Sequence, residues 1–146
     1  MKNISLFVFM LFFMVSCGSS KKTTKGSSSS SRTVQFEKTS FDEALAKAKS
    51  QKKPVFIDFY TTWCGPCKMM EKSVFTDTGV AALYNKNFIN LKIDTEKGEG
   101  INLARKFRVG GFPFLVYLDS NGTMIQKHLG YMDAQMMLRM GKKVMK

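Results

Sequence analysis

The 146-residue sequence predicts an α/β domain built on one sheet, and three observations carry that reading. Strand and helix signals alternate from about residue 34 onward, the pattern of α/β domains. Hydrophobic residues make up 44% and charged residues 23%, a composition that buries a core and excludes a disordered or collagen-like chain. The length allows one domain of ordinary size and leaves no room for a second sizeable core.

Residues 1–16 stand apart from that domain. Lys2 precedes a nearly uninterrupted apolar run from Ile4 to Val15, too short to span a bilayer comfortably, since roughly 20 residues are needed. The run is read as a signal peptide. Its end, Met14-Val15-Ser16-Cys17, resembles a bacterial lipobox, with Met14 where that pattern usually has Leu. The resemblance implies that Cys17 is lipidated and becomes the mature N-terminus. Residues 17–33 then form a flexible basic Gly/Ser tether with a reach of roughly 20 to 24 Å. Its cations, Lys21, Lys22, Lys25 and Arg32, are read as solvated.

The domain itself is expected over residues 34–146. Val34-Gln35-Phe36 is a short strand candidate. Ser40-Phe41-Asp42-Glu43 is a capping box that opens an Ala/Lys-rich helix to about Ser50. Pro54 restarts the chain as the apolar strand Val55 to Tyr60. A helix follows the cysteine pair to about Val74, and a shorter one runs from Asp77 to Tyr84. Phe88 to Asp94 is a strand, Glu96 to Gly100 a loop, and Ile101 to Phe107 a helix of about two turns. Pro113 to Leu118 is a strand that Asp119-Ser120-Asn121-Gly122 turns back into Thr123 to Leu129 as a hairpin. From Asp133 to Met145, Ala134, Met137, Leu138, Gly141, Val144 and Met145 recur at helical spacing and predict a terminal helix. The methionines on helix faces are read as core packing.

Lys+Arg 23 against Asp+Glu 11 gives a formal charge of +12, which favours anionic surfaces without naming one. The three cysteines, Cys17, Cys64 and Cys67, and the single histidine, His128, exclude a disulfide-dense scaffold and a Cys/His-rich metal protein. Neither a G-x-G-x-x-G after a strand nor a P-loop pattern occurs.

The chemistry is concentrated in Trp63-Cys64-Gly65-Pro66-Cys67-Lys68, where a buried strand meets a helix. Cysteines at i and i+3 share one face of a helical turn, close enough to form a disulfide or to hold a metal. Zinc would need two further ligands, for which the domain offers His128 and carboxylates. An inert disulfide closing so small a loop would remove little unfolded-state entropy. At a helix N-terminus the free backbone N–H groups stabilise an anion, so Cys64 is expected to be exposed, low in pKa and nucleophilic. Cys67, one turn further in, is expected to be more shielded and to act second, on the mixed disulfide. Pro66 lacks an N–H and fits the first turn.

The stretch from Pro54 to Lys68, PVFIDFYTTWCGPCK, resembles the active-site segment of the thioredoxin family, and Val109-Gly110-Gly111-Phe112-Pro113 before a strand extends the agreement. Phe75-Thr76-Asp77 is most similar to envelope thioredoxins and to the C-terminal domain of membrane-embedded thiol:disulfide interchange reductases. The resemblance implies a thioredoxin fold, a central mixed β-sheet flanked by helices. It also implies that Pro113 is a cis-proline presenting the backbone of Phe112 to substrate, and that Trp63 flanks the nucleophile, with Gly65 and Pro66 completing the substrate-facing turn. Asp58 matches the family's buried carboxylate behind the second cysteine, and an acid in so apolar a strand is what a proton-transfer group requires. Two departures stand out: Asn90 occupies the position where thioredoxins commonly place a Lys, with Lys92 two residues on, and the loop from Thr95 to Gly100 is longer. His128 is read as a sheet-surface residue.

The expected function is therefore thiol:disulfide oxidoreduction by a lipid-anchored, monomeric domain of a bacterial envelope, mainly as a reductase of protein disulfides. By resemblance, CGPC favours the reducing side, with potentials around −270 mV rather than around −120 mV. No cofactor, no metal and no nucleic acid is expected. The expected partners are disulfide-containing envelope proteins, an unidentified membrane electron donor, and the membrane reached through the anchor. The alternative is a thioredoxin-fold binding or chaperone-like assembly module in which the cysteines are incidental.

Overall fold

A computed structural model describes residues 31–146. The expected signal peptide, Cys17 and nearly all of the tether lie outside the described residues. In chain order the elements are α1 (Phe41–Gln51), β1 (Val55–Tyr60), α2 (Gly65–Met69) running into a π-helical turn (Met70–Val74), α3 (Thr78–Asn87), β2 (Ile89–Asp94), α4 (Gly100–Phe107), β3 (Phe114–Leu118), β4 (Met124–Leu129) and α5 (Ala134–Val144). The sheet order is β2-β1-β3-β4. β1 pairs parallel with β2 and antiparallel with β3, and β3 pairs antiparallel with β4, so the sheet is mixed, as expected.

Local sequence accounts for the helix starts. Ser40 caps α1 with the full capping box, its side chain accepting from the Glu43 amide while the Glu43 carboxylate accepts from the Ser40 amide. Asp77 and Asp133 cap α3 and α5 by accepting from the amides of Val80 and Met136. Every residue of β1 from Val55 to Phe59 is buried, because helices cover both faces of the sheet. Val55, Ile57 and Phe59 pack with Phe41, Ala44 and Ala48 of α1 and with Leu103 and Phe107 of α4. Phe56 points the other way, into Met70, Val74, Val80, Tyr84 and Met137. Each of these larger side chains contributes about 1.5–3 kcal/mol by leaving water.

Two glycines allow close approaches. A Cβ on Gly100 would stand 2.0 Å from the Asp94 carbonyl oxygen, so the start of α4 needs glycine there. A Cβ on Gly141 would meet Leu83 Cδ2 at 2.9 Å, which sets how closely α5 lies on α3.

Two elements differ from the sequence reading. Val34-Gln35-Phe36 is extended but is no strand. The Val34 amide donates to Phe75 O (2.8 Å), the Gln35 amide to Asn85 Oδ1 (2.7 Å) and the Glu37 amide to Asn90 O (2.8 Å). Its bonds go to three separate elements, so no ladder forms. The helix after the cysteines does end at Val74, but its second half is π-helical, closed by the Phe75 amide donating to Met70 O at 2.8 Å. There Ser73 Oγ donates to Met69 O and Thr76 Oγ1 to Lys72 O, both at 2.7 Å, so hydroxyls compete for the carbonyls that an α-helical turn would use.

Candidate active site

β1 delivers the chain to one end of the sheet, where Thr61-Thr62-Trp63 turns it into α2. The Cys64 amide donates to Thr61 O at 3.2 Å, closing that turn. Cys64 is the N-cap of α2 in extended conformation, and its Sγ accepts from the Cys67 amide at 3.1 Å. This is the contact by which a helix N-terminus stabilises a thiolate. Pro66 occupies the first turn, where its missing N–H leaves no bond unmade. Cys64 and Cys67 are joined as a disulfide, with Cα atoms 5.4 Å apart.

The exposure expected of Cys64 is not found. Cys64 and Cys67 are each 3% exposed, so the first cysteine is as covered as the second in this oxidised form. Sγ of Cys64 is held by its bond to Cys67, and the groove it lines has aromatic walls. Trp63, Gly65 and Pro66 stand on one side of that groove, and Val109, Gly110, Gly111 and Phe112 on the other. Trp63, 65% exposed, meets Phe112 edge-on at 5.8 Å between centroids. The Phe112–Pro113 peptide is cis, and Pro113 leads straight into β3 beside β1.

Asp58 faces the side of the sheet covered by α2 and the π-helical turn, as the alternation from Phe56 requires. It is 1% exposed, and its Oδ1 has no hydrogen-bond partner. Burial pushes its carboxyl up to about 7; Lys92 draws it down and Glu71 pushes it further up. Lys92 is the residue paired with Asp58 across β1 and β2, and its Nζ bridges Glu71 Oε2 at 2.9 Å. Glu71 lies four residues after Cys67, on the same helical face. Asn90, in contrast, pairs with Phe56 and uses its Nδ2 on Gln35 O (3.2 Å) and Tyr84 O (3.4 Å), tying the entering chain and α3 to β2. The cation beside the buried acid is therefore supplied by Lys92, two residues further along the strand and on the same face.

Sequence reasoning missed two contributors. Glu96 Oε1 accepts from Trp63 Nε1 at 3.0 Å, so the long loop after β2 reaches back to the groove. Glu71 carried a signal in its i+4 spacing from Cys67. His128 stands in β4 opposite Leu115, beside Met132, Met136 and Met140 rather than at the groove.

Known proteins agree with this geometry. Residues 35–120 match the model of a family described as thioredoxin-like. The chain is similar to the thiol:disulfide interchange protein DsbD of Yersinia pestis (36% identical over 95 residues) and of Vibrio vulnificus (38% over 96 residues), covering 63% of this chain and 16% of each relative. It thus spans about a sixth of those curated relatives. Among solved structures, a Bacteroides thetaiotaomicron protein provisionally described as a disulphide-isomerase is 41% identical with a TM-score of 0.69, covering 78% of this chain and 94% of that one. A thioredoxin from Thermus thermophilus is 26% identical with a TM-score of 0.69, covering 77% and 88%. With a paired Cys64-Gly65-Pro66-Cys67 at the head of a helix, a cis bond before Pro113 and a family match over most of the domain, the chain belongs to the thioredoxin-like family.

Proposed function

We propose that this chain is a thiol:disulfide oxidoreductase that reduces protein disulfides in a bacterial cell envelope, with residues 34–146 as its thioredoxin-like domain. The observation that carries the reading is the Cys64–Cys67 disulfide set in an aromatic-walled groove on the sheet face that also buries Asp58.

In the reduced state the Cys64 thiolate, held by the Cys67 amide, attacks one sulfur of a substrate disulfide. That bond breaks, the first substrate cysteine leaves as a thiolate, and a mixed disulfide forms. Asp58 then accepts the Cys67 proton as Cys67 attacks Cys64 Sγ. The second substrate thiol is released, and the pair is left oxidised by two electrons. Return to the dithiol takes two electrons from a donor dithiol, for which a membrane reductase is the fitting class. Trp63, Gly65 and Pro66 face one flank of the bound segment. Across the groove, the backbone of Phe112, held by the cis bond to Pro113, meets the other.

The same reading places residues 1–16 as a signal peptide and Cys17 as a lipidated anchor without a redox role. Mass spectrometry of the mature N-terminus tests it, an unmodified Cys17 thiol being the contrary result. Among the described residues no helix is long and apolar enough to cross a membrane. Reduction of insulin disulfides by the wild type and its loss in Cys64→Ser is the test of the activity; equal activity in both would leave a binding module. Cys67→Ser is expected to trap mixed disulfides with the physiological substrates.

A further inference from the structure

We infer that the end of the domain opposite the cysteine pair is a docking surface for anionic phospholipid, which turns the redox groove away from the bilayer. The register defines the two ends. Val55 pairs with both Ile89 and Leu118, and Leu118 with Met124, so β1 and β2 begin, β3 ends and β4 begins at one base. α1 and α3 also end there, each leading into a strand. The cysteines follow the far end of β1, and Pro113 precedes Phe114, which pairs with Phe59 at that same far end. A strand of six residues at about 3.3 Å each separates the two ends by about 20 Å.

The base is cationic with apolar tips. One groove there is lined by Lys52, Lys53 and Lys86 together with Ile125, Val144 and Met145. Lys142 and Lys143 stand in the last turn of α5, directly before the Val144 and Met145 that line the groove, although Lys143 itself faces a second groove with His128 and Met132. Ile125 is 46% exposed and Met145 40% exposed, although both are large apolar side chains. The three ion pairs among the described residues use Lys47, Lys92 and Lys97, and none of the basal lysines. Asp119 is the one acid lining the groove, and its Oδ1 already accepts from the amides of Asn121 and Thr123, at 2.8 Å each.

The opposite end has the opposite character. Of the eleven acidic residues, Asp42, Glu43, Asp94, Glu96, Glu99 and Asp133 stand where α1, α4 and α5 begin or β2 ends, near the cysteine end. Apolar side chains within a ring of lysines match the headgroup boundary of an anionic bilayer. Lys68 and Lys97 also stand at that end, against the six acids, so the base is the end the same surface attracts more strongly.

The entering chain is fixed at the base as well. Asn85 Nδ2 donates to Thr33 O at 2.9 Å and its Oδ1 accepts from the Gln35 amide at 2.7 Å, one residue from Lys86. Arg32 immediately precedes Thr33 and adds a further cation where the chain enters.

The experiment reconstitutes the full chain in vesicles of phosphatidylcholine, or of phosphatidylcholine with about a third phosphatidylglycerol, and reads site-resolved amine labelling. Labelling of Lys52, Lys53 and Lys86 is expected to slow at least threefold on the anionic vesicles and to recover in 0.5 M salt, within the range where screening removes such attraction. Lys68, beside Cys67, is expected to label at one rate on both. The triple variant Lys52→Glu, Lys53→Glu, Lys86→Glu is expected to bring Lys142 and Lys143 back to their neutral-vesicle rates. Equal labelling of the basal lysines on both vesicles would overturn the proposal, as would slowing that includes Lys68. Equal protection by a single-stranded RNA at matched phosphate would also overturn it, by showing a general polyanion site. None of these readings depends on disulfide reduction, so the surface and the redox reading fail separately.

Discussion

Two polar sites are buried on the same face of the sheet, and they are built in opposite ways. Tyr84 and Tyr117 are fully buried, yet their hydroxyls meet at 2.8 Å and Tyr84 also donates to Met137 O at 2.9 Å. Burial pushes both phenols up, so each stays neutral through the physiological range. Asp58 is as deeply buried, but one carboxyl oxygen has no partner and burial leaves its pKa at about 7. The tyrosine pair is a satisfied network that locks α3 and α5 onto β3. The aspartate is an unsatisfied acid whose protonation changes near neutrality, and that is what a proton carrier needs. Burial and an unpartnered oxygen do not by themselves set Asp58 apart, since Asn90 Oδ1 and Thr61 Oγ1 are also buried without partners; what differs at Asp58 is that the unpartnered group is an acid.

The largest expected effect breaks the comparison at its functional half. Asp58→Asn keeps the shape and removes the proposed proton acceptor. Resolution of the mixed disulfide by Cys67 is expected to slow about 10²- to 10⁴-fold, while attack by Cys64 keeps its rate. In the wild type, resolution accelerates as pH rises through about 7, where the carboxyl becomes the base. Stopped-flow kinetics separate the two steps, and a slowed attack with unchanged resolution would give Asp58 a different role.

The same substitution has a stability consequence of definite sign. The Asp58 carboxyl titrates at about 7 when folded against an ordinary 3.8, so between these values the native state binds the extra proton. Stability therefore falls as pH rises from about 4 to about 7, and the full penalty persists above that. Asp58→Asn is expected to gain on the order of 2–4 kcal/mol over the wild type at pH 8 and much less near pH 4. Denaturant unfolding at the two pH values measures it. A gain that does not change with pH would mean that packing, not charge, is responsible.

The structural half is expected to respond in stability alone. Tyr84→Phe leaves the Tyr117 hydroxyl with only the weak Met137 sulfur acceptor at 3.7 Å and is expected to cost about 1–3 kcal/mol, with no change in either redox half-reaction. A kinetic defect at conditions where the variant remains folded would erase the distinction drawn between the two sites.

How much of this was legible in the sequence follows from how local each signal is. The capping box at Ser40, the apolar strand before Trp63 and the turn at Asn121-Gly122 are settled by neighbours a few residues apart, and all appear as read. The cysteine pair was legible from its residue types and spacing, and Pro113 from the resemblance of the residues before it. What depends on distant chain segments was not legible. The groove that Cys64 lines is walled by Trp63 facing Phe112, and the hold on Trp63 comes from Glu96, far away in sequence. Val34 to Phe36 reads as a strand from its own residues, yet the amides of Val34, Gln35 and the following Glu37 go to three separate parts of the chain. The departure at Asn90 was visible, but which lysine stands beside Asp58 is a matter of register, and β1 pairs it with Lys92.

The smallest expected effect sharpens the comparison by tuning Asp58 without touching it. Lys92 and Glu71 form one ion pair, but they act on the buried acid with opposite signs, the lysine favouring its charged form and the glutamate opposing it. The Glu71 side chain is far more exposed than that of Lys92, so solvent screens its influence more strongly. Lys92→Met removes the nearer cation and is expected to move the pH midpoint of Cys67 resolution to higher pH. Glu71→Gln is expected to move it to lower pH, and by less. Both variants leave the attacking step alone, because Cys64 draws its stabilisation from the Cys67 amide and not from this pair. Resolution rates measured against pH distinguish charge from packing: opposite displacements identify electrostatic tuning, whereas displacements in one direction would mean that loss of the bridge reshapes the helix above Asp58.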